Sequence, residues 1–341
     1  MKLNLTKITR NLSSKKKHAQ PIRLRTLLLL LNGLVILGIA ILYFWYYADK
    51  TLVVENFPSM MEYIQPRYRF SIYGAKDVSL VRPMSVYFDD KHRRIYIGNT
   101  EGHSINVFNW QGDYQFSFGG FGADPGQMSF PYGITQNSQG DILVAEAGNK
   151  RVQRFSAQGE YLGTIFDQPN EYGIEKPGPL ATDSEGNLYV GDLSGGRVTI
   201  IDKEGQLVRN LGPIQYPHGL ALDEKRGLVY VASSGTNQVT AYSMATGKPV
   251  KSWHEFKMNG NAIKFGMIRG IAVDKQGRLV VVDSLVSTIS IVDFNGNLVN
   301  SFGQRGNEDW SFMYPNGIHV DKAGKFYIAD WGNNRISMWS Y

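Results

Sequence analysis

A seven-residue pattern recurs six times, beginning at Pro83 (PMSVYFD), Pro131 (PYGITQN), Pro177 (PGPLATD), Pro217 (PHGLALD), Ile268 (IRGIAVD) and Pro315 (PNGIHVD). No other feature restricts the fold so tightly. Successive starts lie 48, 46, 40, 51 and 47 residues apart, the length of a four-stranded propeller blade and too long for a leucine-rich or ankyrin unit. Each start opens the same train: a polar turn (SEGN, KQGR, KAGK), a β-rich strand (DILVAE, NLYVGD, FYIAD), a Gly/Asn/Ser-rich loop, a third strand (RVQRF, RVTII, RISMW), an x-G-x turn and a fourth strand ending in FG or LG. The alternation and the turns are hairpin signals. Such a sheet is apolar on both faces and buries them only against its neighbours, so the series must close on itself. The sequence therefore predicts an all-β fold, a six-bladed β-propeller of four-stranded antiparallel blades.

Closure makes a separate demand. The sixth repeat stops at Tyr341, after its third strand, and the segment 68–74 (YRFSIYG) matches the fourth-strand pattern of QFSFG and LVNSFG. An N-terminal strand completing the last blade would zip the ring and leave no open edge. The sixth position after each start, Asp89, Asn137, Asp183, Asp223, Asp274 and Asp321, is an acceptor suited to capping its own turn, and this column reads as structural.

The net charge of +6 and pI near 9.2 point toward nucleic acid until the charge is located. Residues 1–25 hold eight Lys and Arg and no acid, leaving 28 basic and 30 acidic residues elsewhere. The repeats are nearly neutral. Residues 26–48 carry no charge and end in Tyr43, Phe44, Trp45, Tyr46 and Tyr47; as a helix they reach roughly 34 Å, a bilayer core. Basic residues before the span and aromatics at its far end predict a transmembrane signal anchor in the cell membrane, with a cytoplasmic N-terminus and an extracytoplasmic propeller. A cleaved leader ending near Gly38 and Ala40 is the rival, but the apolar run continues past that pair. Residues 49–66, interrupted by Pro58 and Pro66, read as a stalk, and 67–341 as the propeller. The chain has no Cys, which excludes disulfides, thiolate metal sites and a Cys nucleophile.

PxGIAVD, YIAD, GNNRI and the terminal FG resemble the NHL-repeat family of six-bladed propellers, in its membrane-anchored bacterial type. The resemblance covers 68–341, is cleanest in the second and sixth repeats and departs in the loops of the first and fifth. It implies a ligand face at one end of the central channel, built from the segments before each first strand and the loops after each second strand. The residue after each start forms one ring (Met84, Tyr132, Gly178, His218, Arg269, Asn316), and the residue ending each second strand forms another (Asn99, Glu146, Asp192, Ser233, Asp283, Asp330). A purely structural ring would repeat one residue type, so the uneven members are the candidates. Tyr132, Glu146, Asp192, His218, Arg269, Asp283, Asn316 and Asp330 are the expected ligand-binding residues, with His218, Arg269 and Glu146 foremost.

The resemblance also brings enzyme readings. Amidating lyases related to the family hold zinc with several His from equivalent blade positions, whereas here His218 has no counterpart in its column and His319 lies at a different offset; zinc wants three protein ligands plus water. Six-bladed lactonases hold calcium, and Glu146, Asp192, Asp283 and Asn316 carry suitable oxygens, against the simpler reading that the acids pair with Arg151, Arg197 and Arg335. No GxSxG, HExxH, GxGxxG or P-loop occurs, so nucleophilic hydrolysis has no support. RNA binding through a basic face, another property of the family, fits nearly neutral repeats poorly. The longest connections, 119–130, 168–176, 254–267 and 303–314, carry Phe121, Tyr172, Phe256, Phe265, Trp310 and Phe312, either interface anchors or plugs over the seams between blades. The expectation is a non-enzymatic binding or scaffolding module for a protein, peptide or cell-surface polymer, without catalytic residues. Calcium is the one cofactor left open, and a calcium- or zinc-dependent hydrolase or lyase is the alternative.

Overall fold

The computed structural model describes residues 65–341 together with Leu37. The basic segment 1–25, the apolar span 26–48 apart from Leu37, and the stalk up to residue 64 lie outside the described residues. Among the described residues no helix is long and apolar enough to cross a membrane.

Six four-stranded antiparallel sheets follow one another, and in the first five each strand pairs with the next in sequence. Blade two shows the pattern, with strands Pro131–Gln136, Ile142–Glu146, Arg151–Phe155 and Tyr161–Phe166. Burial falls from the axis outward: Ile142–Glu146 is buried throughout, whereas the outer strand Tyr161–Phe166 is largely exposed until Phe166. Two short hairpins, Gly74–Ala75 with Val78–Ser79 and Glu255–Met258 with Asn261–Lys264, are added outside the blades.

The sixth blade contains Pro315–Val320, Phe326–Asp330 and Arg335–Ser340, and its outer strand is Arg67–Ile72. That strand runs antiparallel to Arg335–Ser340, with Tyr68 opposite Trp339 and Ile72 opposite Ile336. Head and tail of the ring thus share one hydrogen-bonded sheet.

Apolar side chains gather into one cluster at each of the six seams. Tyr96, Ile105, Ile134 and Phe155 join blades one and two; Tyr230, Trp253, Ile268 and Val281 join blades four and five; Ile72, Phe88, Ile97 and Tyr327 join blades six and one. No blade has a core of its own, so burial enforces the ring.

The acceptor column caps its own turns. Asp274 Oδ1 accepts the backbone N–H of Gln276 and Arg278, both at 2.9 Å, and Asn137 Oδ1 accepts those of Gln139 and Asp141. The glycines two places after the repeat starts have another task. A Cβ on Gly219 would lie 2.4 Å from the carbonyl oxygen of Arg269, and one on Gly270 would lie 2.3 Å from that of Asn316. First strands of adjacent blades approach closely there, and only Gly fits.

Candidate functional site

The first strands start at one end of the channel and finish at the other. Where they start, the channel mouth is lined by Met84, Tyr132, His218 and Asn316, over a floor of Val86, Ile134, Leu180, Leu220, Ile271 and Ile318. The cavity measures about 80 Å³. The aliphatic floor is one residue type repeated at the third position after each start, a regular column that the spacing of the repeats makes visible in the sequence. It gives the cavity an apolar lining beside the polar rim.

The candidate residues divide into two sets. Glu146, Asp192, Asp283 and Asp330 do not line the mouth cavity; they are buried, and their oxygens are engaged. Glu146 accepts from Arg151 Nε at 2.7 Å, Ser129 N at 3.0 Å and Asn149 Nδ2 at 2.6 Å. Asp330 accepts from Arg335 Nε at 2.8 Å, Asn333 Nδ2 at 2.7 Å and Met313 N at 2.7 Å. Asp192 accepts the backbone N–H of Glu175, Lys176 and Gly195, with Arg197 at 3.6 Å. Asp283 takes Gly266 N and Met267 N, one on each oxygen. These acids bind the loop after the second strand to the segment entering the first strand. The simpler reading, acids paired with Arg151, Arg197 and Arg335, describes blades two, three and six.

This arrangement tests the calcium expectation. Carboxylates whose oxygens already face backbone N–H groups and guanidinium nitrogens cannot turn to a cation without orphaning those donors. Among the described residues no group of three or more His, Asp or Glu side chains is placed to hold a metal ion. The donor set does not fit calcium, and with His319 in a different position from His218 it does not fit zinc.

Tyr132, His218, Arg269 and Asn316 form the other set, and the fold brings them together. Tyr132 of blade two reaches across the channel to His218 of blade four, with ring centroids 6.2 Å apart. The Arg269 guanidinium of blade five stands beside both, close enough to act on their ionisation but outside hydrogen-bond geometry with the Tyr132 hydroxyl, which has no partner. Burial holds that hydroxyl protonated far above neutral pH. His218 is lowered to about 4, chiefly by burial and then by Arg269, so its imidazole is uncharged at pH 7. Its Nδ1 lies 3.0 Å from the carbonyl oxygen of Tyr216 and 2.7 Å from Ser234 Oγ. A carbonyl only accepts, so Nδ1 bears the proton and Nε2 keeps its lone pair.

Tyr216 and Ser234 are functional neighbours that the sequence pattern did not single out. Tyr216 immediately precedes the repeat start and takes a φ of 51°; Arg82, Phe130 and Tyr314 occupy the same position in their blades with φ of 50–51°. Bulky side chains are rare in this left-handed region. Three of the four are aromatic, and Phe130 and Tyr216 are exposed. Arg82 lies over the Trp331 ring at 4.1 Å, while His103 sits 4.7 Å from both Phe121 and Phe130. Of the six loop aromatics, Phe121 (73% exposed) and Trp310 (57%) face solvent, whereas Tyr172, Phe256, Phe265 and Phe312 are buried plugs.

The opposite pole differs. A larger cavity of about 730 Å³ opens there among turns of blades four to six, but Asp223 is paired with Arg226 and Asp274 with Arg278. These two acids serve their own turns.

The NHL repeat model matches residues 128–155 and 312–337, the two blades whose loops are clamped by Arg151 and Arg335. The chain carries NHL repeats. Two curated relatives are similar in sequence: Protein brain tumor of Drosophila melanogaster is 26% identical over 191 residues, covering 56% of this chain and 14% of that protein, and NHL repeat-containing protein 3 of Mus musculus is 27% identical over 182 residues, covering 50% and 52%. The chain spans about half or less of the length of these relatives. Among solved structures, a gluconolactonase from Xanthomonas campestris superposes with a TM-score of 0.63 at 15% identity, over 81% of this chain and 94% of that one. At that identity the likeness shows the fold of these NHL repeats alone.

Proposed function

We propose that this NHL propeller is a binding module that uses its channel-mouth face, the aromatic rim and the Tyr132–His218–Arg269 pocket together, to hold a protein, peptide or polymer partner. One observation carries the reading: the Tyr132 hydroxyl at the mouth of one pole and Arg269 Nε beside it lack partners, while the acids around the mouth are engaged by hydrogen bonds. Exposed Phe121, Phe130, Tyr216 and Trp310 supply the apolar contact area that such a face needs. Catalysis at the same mouth is the second reading, favoured by the likeness to a gluconolactonase fold and by the free Nε2 of His218. An imidazole held at about 4 is a weak base at neutral pH, since general bases work best near the operating pH; binding is therefore the stronger reading. We further propose that residues 26–48 tether the module to the cell membrane, residues 1–25 remaining cytoplasmic and the propeller lying outside, with the span 49–66 as its stalk.

Two experiments test this. Photo-crosslinkers placed at Phe121 and Trp310 in the full-length chain should capture a partner that one at Lys225, on the opposite pole, does not; equal capture from both poles sinks the face assignment. Because the chain lacks Cys, a single Lys225→Cys variant should react with a membrane-impermeant maleimide in intact cells, and protection until lysis would overturn the topology.

A further inference from the structure

Tyr132 is 8% exposed, yet its hydroxyl makes no hydrogen bond of good geometry although the Arg269 guanidinium stands beside it, and Arg269 Nε is buried without a partner as well. A buried polar group left unmatched costs about 1–3 kcal/mol, and a ligand that matches it removes that cost. Tyr132 lines the opening and the Arg269 guanidinium, from another blade, stands beside it, next to a third polar group, His218, that is held in a single orientation by Tyr216 and Ser234.

Resting on the reading of the mouth as a ligand site, we propose that this pocket takes the carboxylate of a small acid or of a peptide C-terminus bearing a hydrogen-bond donor at its α-position. No charged side chain lines the cavity itself. Arg269 beside it supplies one fixed positive charge, with a smaller contribution from exposed Lys176. His218 adds none. One part-buried guanidinium matches a monoanion and suits a planar carboxylate; a phosphate dianion would be left half-compensated over an aliphatic floor. Tyr132 donates its hydroxyl proton to the second carboxylate oxygen. His218 Nε2 accepts, so a ligand offering only acceptors would leave it unanswered, whereas an α-hydroxyl or the last amide N–H of a peptide answers it. Ile134, Leu180 and Ile271 beneath receive a short apolar side chain.

Ligand-observed NMR on the full-length chain in detergent tests this with lactate and N-acetylalanine, their neutral amides, and inorganic phosphate. At least one of the two acids should bind saturably, its amide and phosphate at least about tenfold more weakly, and the tighter of the two acids identifies the source of the carboxylate. Arg269→Gln and Tyr132→Phe should each weaken the acid about tenfold or more, and Lys225→Gln should leave it unchanged. Tyr132→Phe removes a hydroxyl with no partner, so its thermal midpoint should stay at or above the parent value, which separates lost binding from lost folding. Amides that bind as well as the acids, phosphate that competes equally, acid binding indifferent to both mouth variants, or no acid binding at all would overturn the proposal. Crosslinks from Phe121 and Trp310 that persist in that case leave the binding-face reading standing; their loss removes both.

Discussion

Blades two and six, against blades four and five, show what one repeat plan does with two different chemistries at the same place. In every blade the last residue of the second strand faces the first residue of the third. In blades two and six the pair is Glu146 with Arg151 and Asp330 with Arg335; in blades four and five it is Ser233 with Gln238 and Asp283 with Thr288. Arg151 also donates to the carbonyls of Ala123, Asp124 and Gln127. Arg335 donates to those of Glu308 and Ser311 and to the Tyr73 hydroxyl. Each guanidinium pins a whole interblade loop. Blades four and five hold theirs by backbone donors and hydroxyls, and they are the blades that place His218 at the mouth and Arg269 beside it. The most regular repeats brace the ring through their clamps, yet they also place Tyr132 and Asn316 at the mouth, so the proposed ligand pocket draws on both kinds of blade.

Removing one clamp should break this comparison most severely. Arg335 is fully buried, and Arg335→Ala would strand the Asp330 carboxylate in the interior, a loss of about 3–5 kcal/mol read as a lower denaturation midpoint. A fall of under about 1 kcal/mol would show that the clamp does not hold blade six.

Acid should come next. His218, in an unclamped blade, and His319, beside Tyr87 in the clamped sixth, are both lowered to about 4, each first by burial. Between roughly pH 6.5 and 4 the unfolded chain binds a proton on each imidazole that the folded chain does not, so stability declines on acidification through that window and levels off below it. The decline should amount to a few kcal/mol for the pair, and His218→Gln or His319→Gln should each flatten it. A flat profile in the parent protein would contradict both burials.

Arg197 is intermediate: it is partly exposed and 3.6 Å from an Asp192 that three backbone N–H groups already hold. Arg197→Ala should cost about 1 kcal/mol or less. Gln238→Ala, in the unclamped fourth blade, should cost least, within about 0.5 kcal/mol. Denaturation curves for the three variants should rank Arg335, then Arg197, then Gln238; equal costs would mean that the cross-strand position carries no special load.

The blades and their turns were legible because each answers to a local rule. Asp274 caps a turn four residues long, and its role can be read from DKQGR alone. Ile134 and Leu180 repeat at one offset. The site was half legible. Tyr132, His218, Arg269 and Asn316 were found as irregular members of one column, but Glu146, Asp192, Asp283 and Asp330 were grouped with them, because residue type shows that an acid is present and not which donors surround it. The loop aromatics mislead in the same way: Phe312 and Trp310 are two residues apart, and one is a seam plug while the other faces solvent.

What the sequence determined is the ring itself, since six sheets with two greasy faces each have no other way to bury them, and the strand Arg67–Ile72 supplies the edge that Tyr341 leaves open. What only the tertiary structure decided is which polar groups remain unmatched. Hydrogen-bond satisfaction depends on partners many residues away in the chain, such as Met313 for Asp330 or Glu308 for Arg335, and on angles that no spacing in the sequence records.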